Sequence, residues 1–313
     1  MSTRGCHANE EVLRETVCGR KAESIDERHS GGPGRARGYH ESSTMIPAKS
    51  ANVTEQVQDY WDAHTLGLQF VKDGTLEVGT RGFFNHILPW MGPTRFPWLM
   101  ERIERESALL KDRHLLELGC GMGFVSAEFI RRGVRVTATD LTSNAIAVTN
   151  RHFELEGITA ETVETANALD LYYEDETFDA VWANGVLHHT GDTQKALDEV
   201  HRVLKPGGRA IISHFYRRPS WMYTLHRVAR ENIEFERKDP PVTDFYTERE
   251  ILNMFDKYEI VEAVQDHYRM LPIARKGFKA SVYTGFVRPL YNLIPAPIAK
   301  KYAYKFSVTA IKK

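Results

Sequence analysis

The stretch Leu115–Gly123 reads Leu-Leu-Glu-Leu-Gly-Cys-Gly-Met-Gly, and it restricts the fold more than any other part of the chain. An apolar run ends in an acid, glycines then alternate with other residues, and Phe124–Ile130 continues with amphipathic helical spacing. This pattern predicts a buried strand turning sharply into a helix, with glycines where a ligand meets backbone. The first amides of that helix, with its dipole, favour an anionic group such as a carboxylate or a phosphate. A glycine-rich turn specifies little by itself. The segments that follow it specify more.

Val134-Arg-Val-Thr-Ala-Thr reads as a second strand and closes on Asp140. Asp140 sits about seventeen residues after Gly123, where a doubly wound fold places an acid to hold a ribose diol. Two readings compete. Dinucleotide-binding dehydrogenases use Gly-x-Gly-x-x-Gly, whose third glycine packs helix on strand. This chain has Gly-x-Gly-x-Gly, with Glu117 two residues before it. The turn resembles motif I of the class I S-adenosylmethionine-dependent methyltransferases, and Asp140 resembles their ribose-binding acid.

The resemblance extends along the chain. Asn167-Ala-Leu-Asp-Leu-Tyr-Tyr stands where the family has Asp-Ala-x-x-Leu-Pro-Phe, its adenine-contacting loop. Thr177-Phe-Asp-Ala-Val-Trp-Ala follows as a fourth strand, with Asn184-Gly-Val-Leu-His-His at its end. Asp192–Leu204 reads as a helix stopped by Lys205-Pro-Gly-Gly, and Arg209-Ala-Ile-Ile-Ser-His opens a fifth strand. Residues 113–214 thus resemble this family, especially the branch holding ubiquinone and menaquinone biosynthesis methyltransferases. The implied fold is α/β: a doubly wound, seven-stranded, mostly parallel sheet of Rossmann-like type with helical cap elements.

The resemblance implies S-adenosyl-L-methionine as cofactor and assigns residues to it. Gly119, Gly121 and Gly123, with Cys120 among them, let backbone approach the methionine end. Glu117 accepts from its ammonium, partly through water. Asp140, beside Leu141, takes the ribose hydroxyls, and Asn167 and Ala168 meet the adenine edge. Asn184 closes over the methionine part. Asn167 departs from the family's Asp, so a charge is missing and affinity should be modest. An N-terminal helix, Val53–Trp61, opening at Asn52 or Thr54 as caps, resembles the family's lid. Tyr60 is its candidate aromatic near the sulfonium, with His64 facing substrate; the competing reading is that Tyr60 and Trp61 only pack the helix.

Methyl transfer from a sulfonium is an in-line displacement, so alignment and a dry pocket do most of the work. A hydroxyl, phenol or activated carbon nucleophile also benefits from a base near neutrality, for which histidine is suited. His189, then His214, then His188 are the candidates, all at strand ends on the carboxyl edge where such folds place ligands. A structural, hydrogen-bonded role is expected for one of the adjacent pair. Metal ligation is not expected from His188, His189 and Asp192, which lack a third-ligand geometry.

Composition bounds the partners. The chain has 313 residues and a formal net charge of −1, which argues against nucleic acid and leaves a small-molecule acceptor. Asn184-Gly-Val-Leu also differs from the Asn/Asp-Pro-Pro-Tyr/Phe of nucleic-acid N-methylating enzymes. Cys6, Cys18 and Cys120 form no metal or disulfide pattern. With neither a spanning apolar run nor a signal-peptide core, a cytoplasmic location is expected.

Five segments are expected. Residues 1–50, including Gly31-Gly-Pro-Gly-Arg-Ala-Arg-Gly, read as a disordered arm, and Met45 is a candidate natural start. Residues 51–112 form a helical lid and cap, with aromatics including Trp90 and Trp98 in the cap, and 113–214 the cofactor-binding core. Residues 215–258 form a substrate-side cap, with a helix at Thr224–Arg237 and a capping box at Thr247-Glu-Arg-Glu250. Within it Arg217-Arg218 could hold a substrate anion or simply be a solvated turn. Residues 259–313 hold the last two strands, Glu259–His267 and Phe306–Ile311, the latter antiparallel. Between them lies a basic, apolar insertion, roughly 270–304, able to contact an anionic membrane surface, cover a pocket or form a homo-oligomer contact. The leading function is methylation of a small apolar or aromatic acceptor at oxygen or carbon. The rivals are an inactive adenosylmethionine-fold scaffold protein and a different adenosylmethionine-using reaction on this fold.

Overall fold

Strands whose two faces are both apolar need a helical layer on each side, and β1 (His114–Leu118) is such a strand. Leu116 and Leu118 join one core with Val181, Leu197, Val200, Ile212, Phe255 and Phe306. Leu115, on the opposite face, joins Leu99, Ile103, Phe129, Val136, Trp182 and Ile211. The computed structural model describes residues 51–64, 76–89, 96–218, 240–266 and 281–313. The expected disordered arm, Trp90, the expected helix at Thr224–Arg237, His267 and residues 270–280 of the insertion lie outside them.

The N-terminal helices are α1 (Ala51–Ala63), α2 (Arg81–Pro89) and α3 (Pro97–Leu109). After β1 the chain alternates through α4 (Phe124–Arg131), β2 (Arg135–Asp140), α5 (Ser143–Glu156), β3 (Thr162–Thr165) and β4 (Phe178–Asn184). Then come a 3-10 turn at Leu187–His189, α6 (Thr193–Val203) and β5 (Leu204–Arg217). A two-residue β6 (Phe245–Tyr246), α7 (Glu248–Asn253) and β7 (Tyr258–Asp266) follow. The chain finishes with α8 (Arg288–Asn292), α9 (Ala296–Tyr302) and β8 (Lys305–Lys312).

The sheet order is β3-β2-β1-β4-β5-β8-β7, with β6 added beside the end of β5. Strands β1 to β5 are parallel, whereas β8 runs antiparallel to both β5 and β7. This is the doubly wound arrangement the motif spacing implies, with one short extra strand. The strand order reverses between β1 and β4, and ligands of open α/β sheets bind outside the carboxyl ends at that point.

Local signals explain most boundaries. The Asp192 side chain accepts from the Lys195 amide to cap α6, and Thr142 accepts from the Ala145 amide to cap α5. The capping box at Thr247 and Glu250 is formed on both sides. Two expectations are corrected. Helix α1 begins at Ala51, so Asn52 and Thr54 lie inside it rather than capping it. Strand β5 is entered at Leu204, which pairs with Phe178, and the register jumps to Ala180–Arg209. Lys205-Pro-Gly-Gly is therefore bulged out within the strand; it still ends the helix before it. β5 also runs past residue 214, to Arg217.

Candidate cofactor and acceptor site

At the reversal point, the ends of β1, β2 and β4 and the underside of α1 enclose a cavity of about 140 Å³. Its walls include Gly119, Gly121, Asp140, Leu141, Asn167, Ala168 and Asn184, with Thr54, Val57, Trp61 and His189 on the far side. Sequence positions far apart in the chain thus converge because parallel strands present their carboxyl ends together.

The glycines divide by role. A methyl group on Gly119 would stand 2.3 Å from Val186 Cγ2, so a side chain there cannot coexist with the β4 loop. Gly121 has φ +58° and nothing within 4 Å of where a Cβ would lie, so its open side is a place for a ligand. Gly123 does not line the cavity. A Cβ there would meet Thr149 and Phe153 at 2.8 Å, which makes it a packing glycine between α4 and α5.

Asp140 is held from both sides. Its Oδ2 accepts from the Gly121 amide at 3.0 Å, and its Oδ1 accepts from the Thr142 amide at 3.0 Å and hydroxyl at 2.9 Å. Burial raises its pKa, and these hydrogen bonds oppose the rise. Asn167 lines the cavity, and its Oδ1 accepts from the Leu169 amide at 3.0 Å. Asn184 Oδ1 is buried without a hydrogen-bond partner among the described residues.

Two other expected contacts do not face the cavity. Glu117 lies on the side of β1 that packs against α4, and its carboxylate is hydrogen-bonded to the Ser126 hydroxyl. Desolvation pushes its pKa up to about 8. The Cys120 side chain is buried against Thr149 Oγ1 at 3.5 Å. Burial and the neighbouring Asp140 and Glu117 raise its pKa well above the usual thiol value.

On the lid, Trp61 lines the cavity and Tyr60 does not. Tyr60 stacks on His64 at 4.4 Å, and His64 Nδ1 bonds to the Tyr60 carbonyl at 2.7 Å, so neither takes its expected place. The cause is helix phase: adjacent residues point about 100° apart, and burial of Val57, with the Asn144 amide donating to the Asp62 carbonyl at 3.1 Å, fixes which one turns inward.

The histidines also separate. His189 lines the cavity beside Trp61, with ring centroids 5.4 Å apart. Its Nδ1 lies 2.7 Å from the Val242 carbonyl, which can only accept. Nδ1 therefore carries a ring proton; in the neutral imidazole this leaves the lone pair on Nε2, the tautomer a general base needs. His188 is buried between His189 and Tyr216, at 4.0 and 4.5 Å between centroids. Desolvation drives its pKa well below the usual histidine value, so it stays neutral. His214 sits at φ +71°, packed on Phe96 and Trp98. Its Nδ1 lies 3.3 Å from Lys305 Nζ. Sequence reasoning missed Trp61 as the lid's cavity residue and the Thr142 clamp on Asp140.

Arg217 and Arg218 are used structurally. Arg217 donates to the Ala303 carbonyl at 3.2 Å, and Arg218 bonds to both carboxylate oxygens of Glu250 at 3.0 and 3.2 Å.

A family model described as a methyltransferase domain matches residues 116–212. The chain is 30% identical over 185 residues to a ubiquinone biosynthesis O-methyltransferase of Cereibacter sphaeroides, covering 57% of this chain and 67% of that protein. It belongs to the class I S-adenosylmethionine-dependent methyltransferases. Another relative of this methyltransferase family, methyltransferase GfsG of Streptomyces halstedii, is 28% identical over 58% of this chain and 62% of its own length. The chain thus spans about two thirds or less of the curated relatives it matches. Among solved structures, the [4+2]-cyclase SpnF shares the fold with a TM-score of 0.53 at 17% identity, covering 83% of this chain and 96% of that one.

The family's cofactor suits these residues. Asp140 offers acceptors for a diol, Asn184 an unsatisfied buried acceptor, and Gly121 an open backbone surface. Among the described residues, no helix is long and apolar enough to cross a membrane.

Proposed function

We propose that the protein transfers a methyl group from S-adenosylmethionine to an oxygen or carbon of a small apolar or aromatic acceptor. The observation that carries this is the cavity at the strand reversal, where Gly121, Asp140, Asn167 and Asn184 meet under Trp61 and His189. When bound there, the cofactor supplies an electrophilic methyl carbon on a sulfonium. Asp140 would hold the ribose, the Asn167–Ala168 loop the adenine edge, and Asn184 the amino-acid end. Trp61 shields the chamber from water and offers an aromatic face to positive charge. His189, oriented through Nδ1, receives the acceptor's proton on Nε2. Glu117 acts from behind the turn by ordering β1 against α4.

Isothermal titration of the full chain with S-adenosylmethionine and S-adenosylhomocysteine tests the reading. Saturable binding of both, lost in Asp140→Ala, supports it and justifies assays on phenolic, quinone and lipid acceptors. Folded protein that binds neither overturns it in favour of a scaffold role. Binding without methyl transfer to any acceptor favours a different reaction in the same cavity.

The finer partner is a membrane surface touched by residues 281–302. Phe286 and Leu293 there are 65% and 75% exposed, in a segment that also carries Arg288 and Lys301. Sedimentation with anionic vesicles should carry the protein down, and a dimer in light scattering without vesicle binding would assign this face to a second copy instead.

A further inference from the structure

Between β3 and β4 the chain runs along the cavity, and Ala166, Asn167, Ala168 and Leu169 form part of its wall. A segment outside the strand ladders must satisfy its polar backbone elsewhere. At its start the Ala166 amide donates to the Asp140 carbonyl at 2.9 Å, which ties the wall to the residue assigned to the ribose. Within it, Asn167 accepts from the Leu169 amide through its side chain and from the Asp170 amide through its carbonyl, both at 3.0 Å. Where the resembled adenine loop has proline, this chain has Tyr172, so no ring fixes the backbone there. Helix α6 holds that end instead.

Arg202, on α6, spreads its guanidinium over the loop. Nη2 donates to the Leu171 carbonyl at 2.6 Å, and Nη1 donates to the Tyr173 carbonyl at 2.7 Å and the Asp175 carboxylate at 2.9 Å. Glu199, about one turn earlier, aligns the fork by accepting from Nε at 2.9 Å and from Nη2 at 2.8 Å. Its Oε2 also accepts from the Leu171 amide at 2.8 Å. Both polar backbone groups of Leu171 are thus held by one Arg–Glu pair, while its side chain is buried in the core. Hydrogen bonds from Arg202 hold the Glu199 carboxyl below the usual carboxylate range, so the pair is ionised at neutral pH. A planar fork reaches several oxygens in fixed directions, which an ammonium on a flexible stem does not.

We propose that Arg202 is a positioning residue for the adenosine half of the cofactor: with Glu199 it fixes the wall on which the adenine lies. Neither side chain lines the cavity; both act through Leu171 on residues 167–169. A wall released at one end is formed only part of the time, and apparent affinity falls by that fraction. This rests on the methyltransferase reading for the identity of the ligand.

The test is calorimetry of the full chain with S-adenosylhomocysteine and with methylthioadenosine, which lacks the amino-acid end, beside hydrogen exchange of residues 167–173. Arg202→Met should weaken both ligands about tenfold and by similar factors, as for a wall formed roughly a tenth of the time. Exchange should quicken in 167–173 while β1 and β5 keep their wild-type rates. Arg202→Lys, which restores the charge without the fork, should recover little of the affinity. Wild-type affinity in folded Arg202→Met overturns the proposal, as does full recovery by lysine or a loss confined to S-adenosylhomocysteine. Should Arg202→Met not fold, the wild-type chain decides: saturating S-adenosylhomocysteine should slow exchange in 167–173, and unchanged exchange there overturns the assignment. A wild-type chain that binds neither ligand is a separate failure, which sinks the methyltransferase reading and this assignment with it.

Discussion

At Gly121 an added methyl group enters open space, whereas at Gly123 it strikes Thr149 and Phe153 at 2.8 Å. Both positions are left-handed, which costs a non-glycine residue roughly 1–2 kcal/mol. Gly121→Ala should therefore cost little more than that in stability yet weaken adenosylmethionine binding at least tenfold. Gly123→Ala should lose about 3 kcal/mol, because overpacking is added to strain. Calorimetry and urea unfolding on both variants separate the two effects. Glu117 has a different signature, in pH. Burial raises its pKa from 4.5 to about 8, so the native state holds the proton more tightly than the unfolded chain. Its contribution is complete below pH 4.5, declines by about 1.4 kcal/mol per pH unit while only the unfolded chain is ionised, and is gone above pH 8. Glu117→Gln should flatten that slope in urea midpoints measured across the range. An unchanged slope would mean that the carboxyl is already ionised in the folded protein.

Helix α1 is the lid on which the site depends, and it is held to α5 through the Asn144 amide. It places Thr54, Val57 and Trp61 over the cavity, while helices of this length are marginal without tertiary contacts. Trp61→Ala should lower adenosylmethionine affinity about tenfold and leave the melting temperature of the sheet within a few degrees. Equal losses in both would make Trp61 a core residue instead. The same helix marks where sequence reading stops. Strands β1, β2, β4 and β8 were legible as apolar runs bounded by turn residues and β7 from its alternation; Asp140 and Asn184 stand at the ends of β2 and β4, whereas Asn167 came from the family resemblance. Whether Tyr60 or Trp61 faces the cavity is set by contacts with α5, which local pattern does not encode. The contact of Lys305 with His214 was invisible for a related reason. Lys305 meets His214 only through strand pairing across some ninety residues of chain.

Across the whole molecule, the Arg102–Asp266 pair ties α3 to the ends of β5, β7 and β8. Removing one member of a buried pair strands the other charge, so Asp266→Ala should cost about 3–5 kcal/mol. Glu161→Ala, which breaks the exposed pair with Arg135, should cost under about 1 kcal/mol. Urea unfolding of the two variants side by side checks this contrast. The placement of β8 has a consequence for how the molecule comes into being. It follows all the other described strands in chain order, yet it lies between β5 and β7. Until it emerges from the ribosome, β5 presents an open edge there and β7 has no neighbour to join, so the sheet waits half-zipped. The strand that closes it also delivers Lys305. Closure of this part of the sheet and arrival of Lys305 beside His214 are therefore one event, and a nascent chain cannot make that buried contact before β8 is in place.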